Sequence, residues 1–308
     1  MSQKELLKVE NLSVSFTGYE RGFRQIDLQV IENLNVTVKK GEMVAVVGAS
    51  GSGKSLLAHT LLGILPPNST ACGNIYFEGE LLNAQKINQL RGKEIAFVPQ
   101  SVTYLDPLKK VGSQVRKDKK VIESYRKQQE LFSFYDLPAK TDNLYPFELS
   151  GGMARRVFLS AAMMETPKLI VADEPTPGLH LEAAKNSLKH FREFADKGGG
   201  VLLITHDIEL ALEVSDRIAV FYAGTTVEEA FASDFQSENL LRHPYTKALW
   251  RALPQNGFAP TPGVQPYVKD KPQGCVYAPR CSVYSSKCNS KIPMQTIRNG
   301  SVLCACAK

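Results

Sequence analysis

The sequence predicts an α/β protein: a sheet core carrying a phosphate-binding loop, an antiparallel β layer, an inserted helical segment and a small cysteine-rich C-terminal extension. Three stretches predict it. Residues 48–55 read Gly48-Ala49-Ser50-Gly51-Ser52-Gly53-Lys54-Ser55, the pattern G-x-x-x-x-G-K-S without a mismatch. Residues 169–172 are wholly apolar and end in Asp173-Glu174, and residues 201–205 form a second short apolar run. Runs without alternation belong to strands of a parallel sheet buried on both faces. Between them a helical pattern over 181–195 closes at Gly198-Gly199-Gly200, which completes a β-α-β unit.

In chain order, Val9, Leu12, Val14 and Phe16 fall mostly at alternate positions, as do Ile26, Leu28 and Val30 and then Leu34, Val36 and Val38. These are strands of the antiparallel layer. Residues 43–47 are the strand that enters the phosphate loop, and the helix beyond it stops near Gly63, with Pro66-Pro67 following. Residues 74–77 and 95–98 read as further strands. Residues 111–135 are charged and helical, and 154–164 form a second helical run. A turn at Gly224 separates strands at 218–222 and 226–227. Residues 254–272 are proline-rich and aperiodic, a linker into a small tail. The expected division is a main domain over 1–240, with its helical part at about 101–165, and an extension over 241–308.

A length of 308 residues accommodates one large domain and a smaller one. With 43% apolar and 22% charged residues the composition is that of a soluble globular chain. No apolar stretch approaches the ~18–20 residues of a membrane span, and Met1-Ser2-Gln3-Lys4-Glu5 lacks a signal-peptide core. A cytosolic chain is expected, with any membrane role carried by a partner. The net charge of +6 is compatible with nucleic acid or an anionic membrane but demands neither. The basic cluster Lys109, Lys110, Arg116, Lys117, Lys119, Lys120 reads as a solvated helix face. A reducing compartment argues against disulfides, so the six cysteines, all but Cys72 lying after Gly274, need another explanation.

The residue types of the loop specify its chemistry. Gly48, Gly51 and Gly53 let backbone N–H groups turn inward on phosphate oxygens beside Ser50 and Ser52. The helix beginning at Leu56 points its positive dipole end at the same phosphates. Lys54 reaches the β- and γ-phosphates of a nucleotide and Ser55 ligates Mg²⁺. A chance Gly/Ser turn is the alternative, and the correct strand before and helix after weigh against it. An apolar strand ending in Asp173 places a carboxylate at the sheet's C-terminal edge, beside the loop, where Mg²⁺ sits. Glu174 is then placed to polarise a water for attack on the γ-phosphate. A surface Asp-Glu pair rarely closes an all-apolar strand. Ser150 is an N-cap candidate, and Gly151-Gly152 allow close backbone approach to an anion.

Leu149-Ser150-Gly151-Gly152-Met153, lying between the phosphate loop and the acidic strand, resembles the L-S-G-G-Q signature of the ATP-binding cassette (ABC) ATPases. Met in place of Gln is shared by the branch serving peptide and nickel importers. The resemblance implies further roles. Gln100, ending Ile95-Ala96-Phe97-Val98-Pro99, matches the Q-loop glutamine that senses Mg²⁺ and the attacking water and couples them to the transmembrane partner. His206 matches the switch histidine that contacts the γ-phosphate. Phe16 matches the aromatic that stacks on adenine, with Tyr19 and Phe23 as substitutes. A solvated Gln, a capping His and a core Phe are the plainer readings of the same residues. His59, His190 and His243 read as structural or surface histidines.

His243-Pro244-Tyr245-Thr246-Lys247-Ala248-Leu249 and Gly274-Cys275 … Pro279-Arg280-Cys281 are similar to the C-terminal extension of oligopeptide, dipeptide and nickel importer ATPases. That resemblance implies a four-iron, four-sulfur cluster on Cys275, Cys281, Cys288 and Cys304, with Cys306 as an alternative fourth ligand. Independently, a short tail with little apolar core calls for a metal or cluster to hold it together. Zinc is the main rival, although the spacings lack the close C-x₂₋₄-C pairs usual for zinc. Cys72 reads as an ordinary small residue.

The function implied is ATP hydrolysis powering a membrane importer from the cytoplasmic face, for peptides first and nickel or a metal chelate second. ATP would be sandwiched between the phosphate loop of one subunit and the Ser150-Gly151-Gly152 loop of its partner. The partners implied are a second, different ABC ATPase chain, two transmembrane permease subunits and, indirectly, an extracytoplasmic solute-binding protein, with no nucleic acid. The rivals are a soluble ABC ATPase acting on nucleic acid or ribosomes, whose usual coiled coils or second cassette are missing here, and a cluster-based regulatory module. Two departures from the family pattern stand out. Pro177-Gly178-Leu179-His180 replaces the usual S/T-A-L-D, and the helical segment over 111–146 is shorter than expected. Loss of that Asp points to an asymmetric heterodimer.

Overall fold

The structure, a computed structural model, describes residues 4–19, 22–116 and 122–307, and Lys117, Lys119 and Lys120 of the basic cluster lie outside them. Two long strands, β1 (Glu5–Tyr19) and β2 (Gln25–Lys39), open the chain. Their alternating apolar residues Val9, Leu12, Val14, Leu34, Val36 and Val38 are all buried. β3 (Met43–Gly48) enters the phosphate loop and α1 (Lys54–Leu61) leaves it. β4 (Ser69–Phe77), β5 (Glu80–Leu81), α2 (Ala84–Leu90) and β6 (Ile95–Val98) follow. The charged segment forms α3 (Val111–Val115) and α4 (Ile122–Phe134), and the next run is α5 (Gly151–Met163). Then come β7 (Leu169–Asp173), α6 (Leu181–Asp196), β8 (Gly200–Thr205), α7 (Ile208–Val214), β9 (Arg217–Tyr222) and β10 (Thr225–Phe231). The extension contributes α8 (Pro244–Arg251), β11 (Gln295–Ile297) and β12 (Gly300–Val302).

Among the described residues the strands form two sheets, one in the order β2-β1-β4-β5 and one in the order β11-β12-β10-β9-β3-β8-β7-β6. The first is antiparallel throughout. The second is parallel from β9 through β3, β8 and β7 to β6. Alternate residues of its central strands feed two cores. Val44, Val46, Val171, Leu202 and Ile204 pack with α1 and the antiparallel sheet. Ala45, Val47, Ile170, Ala172 and Leu203 pack with α5, α6 and α7. Covering both faces is what permits strands without a polar side. The C-terminal ends of β3, β7 and β8 therefore emerge together at one edge, where helices do not cover them.

The extension does not stand apart from this framework. β12 pairs with β10, Glu228 opposite Val302 and Glu229 opposite Ser301. Tyr245, Val276, Tyr277 and Ile292 are buried in the same core as the sheet. Glu228 is fully buried, and its carboxylate accepts from the backbone N–H groups of Arg242 and His243 and from Arg242 Nη1 at 3.2 Å. Arg242, also buried, donates onward to Asp234 and to the carbonyls of Ile297 and Arg298. The expectation that a tail lacking its own core needs a metal for cohesion is thus corrected: it borrows the core of the main sheet. The proline-rich stretch is likewise pinned. Arg280 holds the carbonyls of Thr261 and Pro262, and Lys271 Nζ lies 3.2 Å from the carbonyls of both Gln29 and Val30. Among the described residues no helix is long and apolar enough to cross a membrane.

Candidate active site

The phosphate loop is shaped by close backbone approaches. A Cβ on Gly48 would lie 2.3 Å from the Phe221 carbonyl oxygen of neighbouring β9, so the loop leaves the sheet where only glycine fits. Gly53 has φ +96°, and a Cβ there would meet Ile31 at 2.9 Å. The following residue, Lys54, is buried, and its Nζ donates to the carbonyls of Gly48 at 2.8 Å and Ala49 at 3.0 Å. Burial lowers its pKa, opposed by the nearby carboxylates of Glu174 and Asp173. Ser52 is buried too, with its Oγ unpartnered. A buried hydroxyl without a partner is costly and suits a loop that closes on ligand oxygens.

At the end of β7 the Asp173 carboxylate accepts from Ser55 Oγ at 3.1 Å. Burial pushes Asp173 up, countered mainly by the Ser55 hydrogen bond. Two hard oxygen donors beside a phosphate loop match the ligand chemistry of Mg²⁺. The next residue, Glu174, is buried and adopts left-handed backbone at φ +46°, with its N–H bonded to Ile204 O at 2.8 Å. For a non-glycine residue this conformation costs on the order of 1 kcal/mol or more, and such strain concentrates at functional positions. The turn aims the carboxylate along the sheet edge to His206, whose Nδ1 lies 2.8 Å from Glu174 Oε2.

A cavity of about 380 Å³ gathers Val30, Ser50, Gly51, Gly53, Lys54, Ser55, Leu56, Gln100 and Glu174. Gln100 is exposed there, just beyond β6. Phe16 is not part of this lining; it pairs with Leu28 and Ser69 in the antiparallel sheet and packs against that core. Tyr19 and Phe23 are exposed at 71% and 91%. Ser150 caps α5, accepting from Met153 N at 3.2 Å. The Ser150-Gly151-Gly152 loop also lies outside the lining and instead faces the Gly178-Leu179 turn, where a Cβ on Gly152 would stand 3.7 Å from Leu179. Beside it a second cavity, of about 360 Å³, is lined by Gly152, Arg155, Leu179 and His180 among others. His180 caps α6, its Nδ1 accepting from Ala183 N at 3.3 Å.

Sequence reasoning passed over Arg155. This buried guanidinium donates to the Pro99 carbonyl at 2.6 Å, tying α5 to the residue before Gln100. An Arg within an otherwise apolar helical stretch was the available signal. His243, read as structural, proves to be an N-cap. Its buried Nδ1 accepts from Tyr245 N at 3.0 Å, and Pro244 occupies the first helical position of α8.

In the extension, Cys275, Cys288 and Cys304 are buried and Cys281 and Cys306 half-buried. The Ser285 hydroxyl lies 3.8 Å from Cys288 Sγ and 3.4 Å from Cys306 Sγ. Burial pushes the Cys275 thiol up to about 11 and raises Cys281 and Cys304 as well. Metal ligation needs thiolates. Among the described residues no three or more Cys, His, Asp or Glu side chains come together in a group that could hold a metal ion. The thiols are near neighbours, but they are not assembled as the expected ligand set.

The family model described as ABC transporter matches residues 31–177, and that for the oligopeptide/dipeptide transporter C-terminal region matches residues 227–288. Among curated proteins the chain is similar to the dipeptide transport ATP-binding protein DppD of Escherichia coli (strain K12), 36% identical over 310 residues that cover 94% of this chain and 92% of that one. DppD of Bacillus subtilis (strain 168) is 34% identical, covering 97% and 93%. The oligopeptide transport ATP-binding protein OppD of Salmonella typhimurium is 33% identical, covering 98% and 93%. Among solved structures, the dimeric bacterial ABC transporter cassette MJ0796 superposes with a TM-score of 0.64 at 26% identity, over 74% of this chain and 99% of that one. Its post-hydrolysis state bound to ADP and Pi gives 0.63, with the same identity and coverage.

Proposed function

The chain belongs to the ATP-binding cassette family of transporter ATPases, in the branch carrying the oligopeptide/dipeptide transporter C-terminal region, and on that premise we propose that it is the ATP-hydrolysing subunit of a membrane importer for dipeptides or oligopeptides. The observation that carries this reading is the pair of contacts at the mouth of the phosphate loop, Ser55 with Asp173 and Glu174 with His206.

The roles follow from placement. Gly51, Ser52 and Gly53 wrap the β-phosphate with backbone N–H groups. Lys54 exchanges the Gly48 and Ala49 carbonyls for β- and γ-phosphate oxygens. Mg²⁺, which neutralises the phosphate charge when bound, would be held by Ser55, Asp173 and Gln100. Glu174 accepts the proton of the attacking water, and His206 fixes that carboxylate and faces the γ-phosphate. Phe16, or Tyr19 or Phe23 in its place, would stack on the adenine, a role that rests on the family resemblance alone. The Ser150-Gly151-Gly152 loop is offered to a partner's nucleotide, since within this chain it lies outside the phosphate cavity. We take the partner to be a different ABC ATPase chain, because His180 stands where the communicating Asp is usual. The two ATPases would dock on two permease subunits at the cytoplasmic face of the membrane, fed by an extracytoplasmic solute-binding protein. Residues 1–240 would supply the motor and 241–308 the branch-specific extension. A four-iron, four-sulfur cluster on Cys275, Cys281, Cys288 and Cys304 (or Cys306) rests on the resemblance of the extension to that of the family, and zinc is its rival. Iron, zinc and acid-labile sulfide content after anaerobic purification tests it.

The experiment for the main reading uses the anaerobically co-purified complex in lipid. ATPase activity is recorded with its solute-binding protein, adding short peptides in one series and nickel or its chelates in another. Stimulation by peptides is expected. Stimulation by the metal series alone would move the cargo to metal, and no hydrolysis at all would overturn the motor assignment.

A further inference from the structure

Gln100 stands on a segment with little backbone support of its own. β6 ends at Val98, Pro99 has no N–H to give, and Gln100 lies at an exposed bend beside the nucleotide cavity. Side chains anchor the chain on either side of it. Beyond Gln100, a short 3-10 turn (Val102–Tyr104) brings the Tyr104 ring edge-on to Phe97, centroids 5.8 Å apart, with its oxygen 3.5 Å from His59 Nε2 on α1. Before Gln100 the anchor is Arg155, whose Nη1 donates to the buried Pro99 carbonyl at 2.6 Å. Among the described residues no other donor reaches that carbonyl. Arg155 is a costly residue to place there. It is 7% exposed, and burial lowers its pKa with no carboxylate acting against the shift. A buried cation without an ion pair is unfavourable, so this guanidinium contributes through what it holds. It sits four residues after Gly151, about one turn into the helix that Ser150 caps. The neighbouring Arg156 serves other carbonyls, those of Gly152, Tyr135 and Asp136.

We propose that Arg155 is a positioning residue for the Mg²⁺ site: through the Pro99 carbonyl it fixes where Gln100 enters the nucleotide cavity, and it does so from the helix that carries the Ser150-Gly151-Gly152 loop. It touches neither nucleotide nor metal. A glutamine side chain is flexible, so its amide oxygen is placed no better than the backbone that bears it. The proposal deepens the ATPase reading and rests on it, Gln100 as a Mg²⁺ ligand included. It joins the two nucleotide-facing parts of one chain, its own metal site and the loop it offers to a partner.

The test uses the full-length chain and fluorescent trinitrophenyl-ATP, titrated in EDTA and in excess Mg²⁺. The readout is the factor by which Mg²⁺ tightens binding. Gln100→Ala removes the ligand and sets the full size of the effect. Arg155→Met keeps the apolar stem and removes the donor. It is expected to cut the Mg²⁺ factor by about fivefold and to leave binding in EDTA unchanged. Its unfolding midpoint changes little, because loss of the hydrogen bond is offset by removal of a buried charge. In a Gln100→Ala background Arg155→Met reduces the factor no further, since the side chain it acts through is gone. Arg156→Met, which cuts other ties of the same helix, lowers the unfolding midpoint but keeps the Mg²⁺ factor within about twofold of wild type. An unchanged factor in Arg155→Met, additive losses in the double variant, or an equal loss in Arg156→Met overturns the proposal. Should Arg155→Met not fold, Arg155→Gln, whose shorter side chain does not reach the carbonyl, is read in the same cycle with the same outcomes. An undiminished factor in Gln100→Ala overturns Gln100 as a Mg²⁺ ligand and the proposal with it. Wild-type chain that does not bind the probe, or binds it as Lys54→Ala does, overturns the ATP-site reading itself.

Discussion

The carboxylate of Glu174 and the imidazole of His206 meet 2.8 Å apart at the ends of two adjacent parallel strands, the first nearly buried and the second half exposed. Left-handed backbone at Glu174 is what turns its side chain toward β8 rather than along β7. A base held in that way loses its chemistry, but little of its structure, on amidation. Glu174→Gln is expected to cut steady-state phosphate release by at least ~10²-fold while sparing ATP binding, the scale of a positioned general base. Undiminished turnover would remove Glu174 from that role.

His180 separates capping from communication between subunits. His180→Ala removes the acceptor for Ala183 N and is expected to cost about 1 kcal/mol of stability. His180→Asp restores a good cap, so its unfolding midpoint matches wild type. If the histidine makes the two ATP sites unequal, His180→Asp brings their single-turnover rates together in the reconstituted complex. Rates that are already equal in the wild type would end that idea.

His243 makes the extension acid-sensitive. Burial holds its pKa down to about 3, against an ordinary 6.5. Above about pH 6.5 the ring is neutral in both states. As the pH falls from there toward 3, the unfolded chain takes up the proton and the folded chain does not, so stability is lost on acidification. His243→Asn keeps a capping acceptor but cannot titrate. Its melting temperature should fall less than that of wild type between pH 7 and 5, read by calorimetry.

Arg242 joins Glu228 and Asp234 to the β11–β12 hairpin with almost no solvent contact. Removing one partner strands a buried charge. Arg242→Met is expected to destabilise the fold by about 3–5 kcal/mol and to expose the hairpin to limited proteolysis. A variant as stable and as protease-resistant as wild type would show that the hairpin is held by its strand pairing alone.

The phosphate loop, the acidic strand end and the β-α-β unit were legible because each rests on local grammar: glycine at constrained backbone, apolar runs at buried strands, a cap before a helix. Val9 to Val38 alternated as half-buried strands must, although the stretch from Ile26 to Val38 belongs to one strand where the pattern suggested two. What escaped the sequence is long-range. β12 is three residues long and pairs with a strand more than seventy residues upstream, so no period announces it. α2 and α8 are too short for their apolar spacing to stand out. The left-handed turn at Glu174, the Arg155 link to Pro99 and the stacking of Tyr245 on Tyr222 exist only once the sheet is assembled. The tail's apolar residues look too few only when counted without the core they join.

The pairing of β12 with β10 also bears on how the protein is made. An uncovered β10 would present a row of free backbone donors and acceptors, a template on which another chain could grow. The cover comes from residues near position 300, so a nascent polypeptide leaves the ribosome with that flank open until the hairpin has emerged. Translation pauses or premature stops ahead of residue 295 would then release molecules with an intact phosphate loop and an adhesive side. A copy whose β10 flank is covered is thus one in which residues 295–302 have been made and have paired.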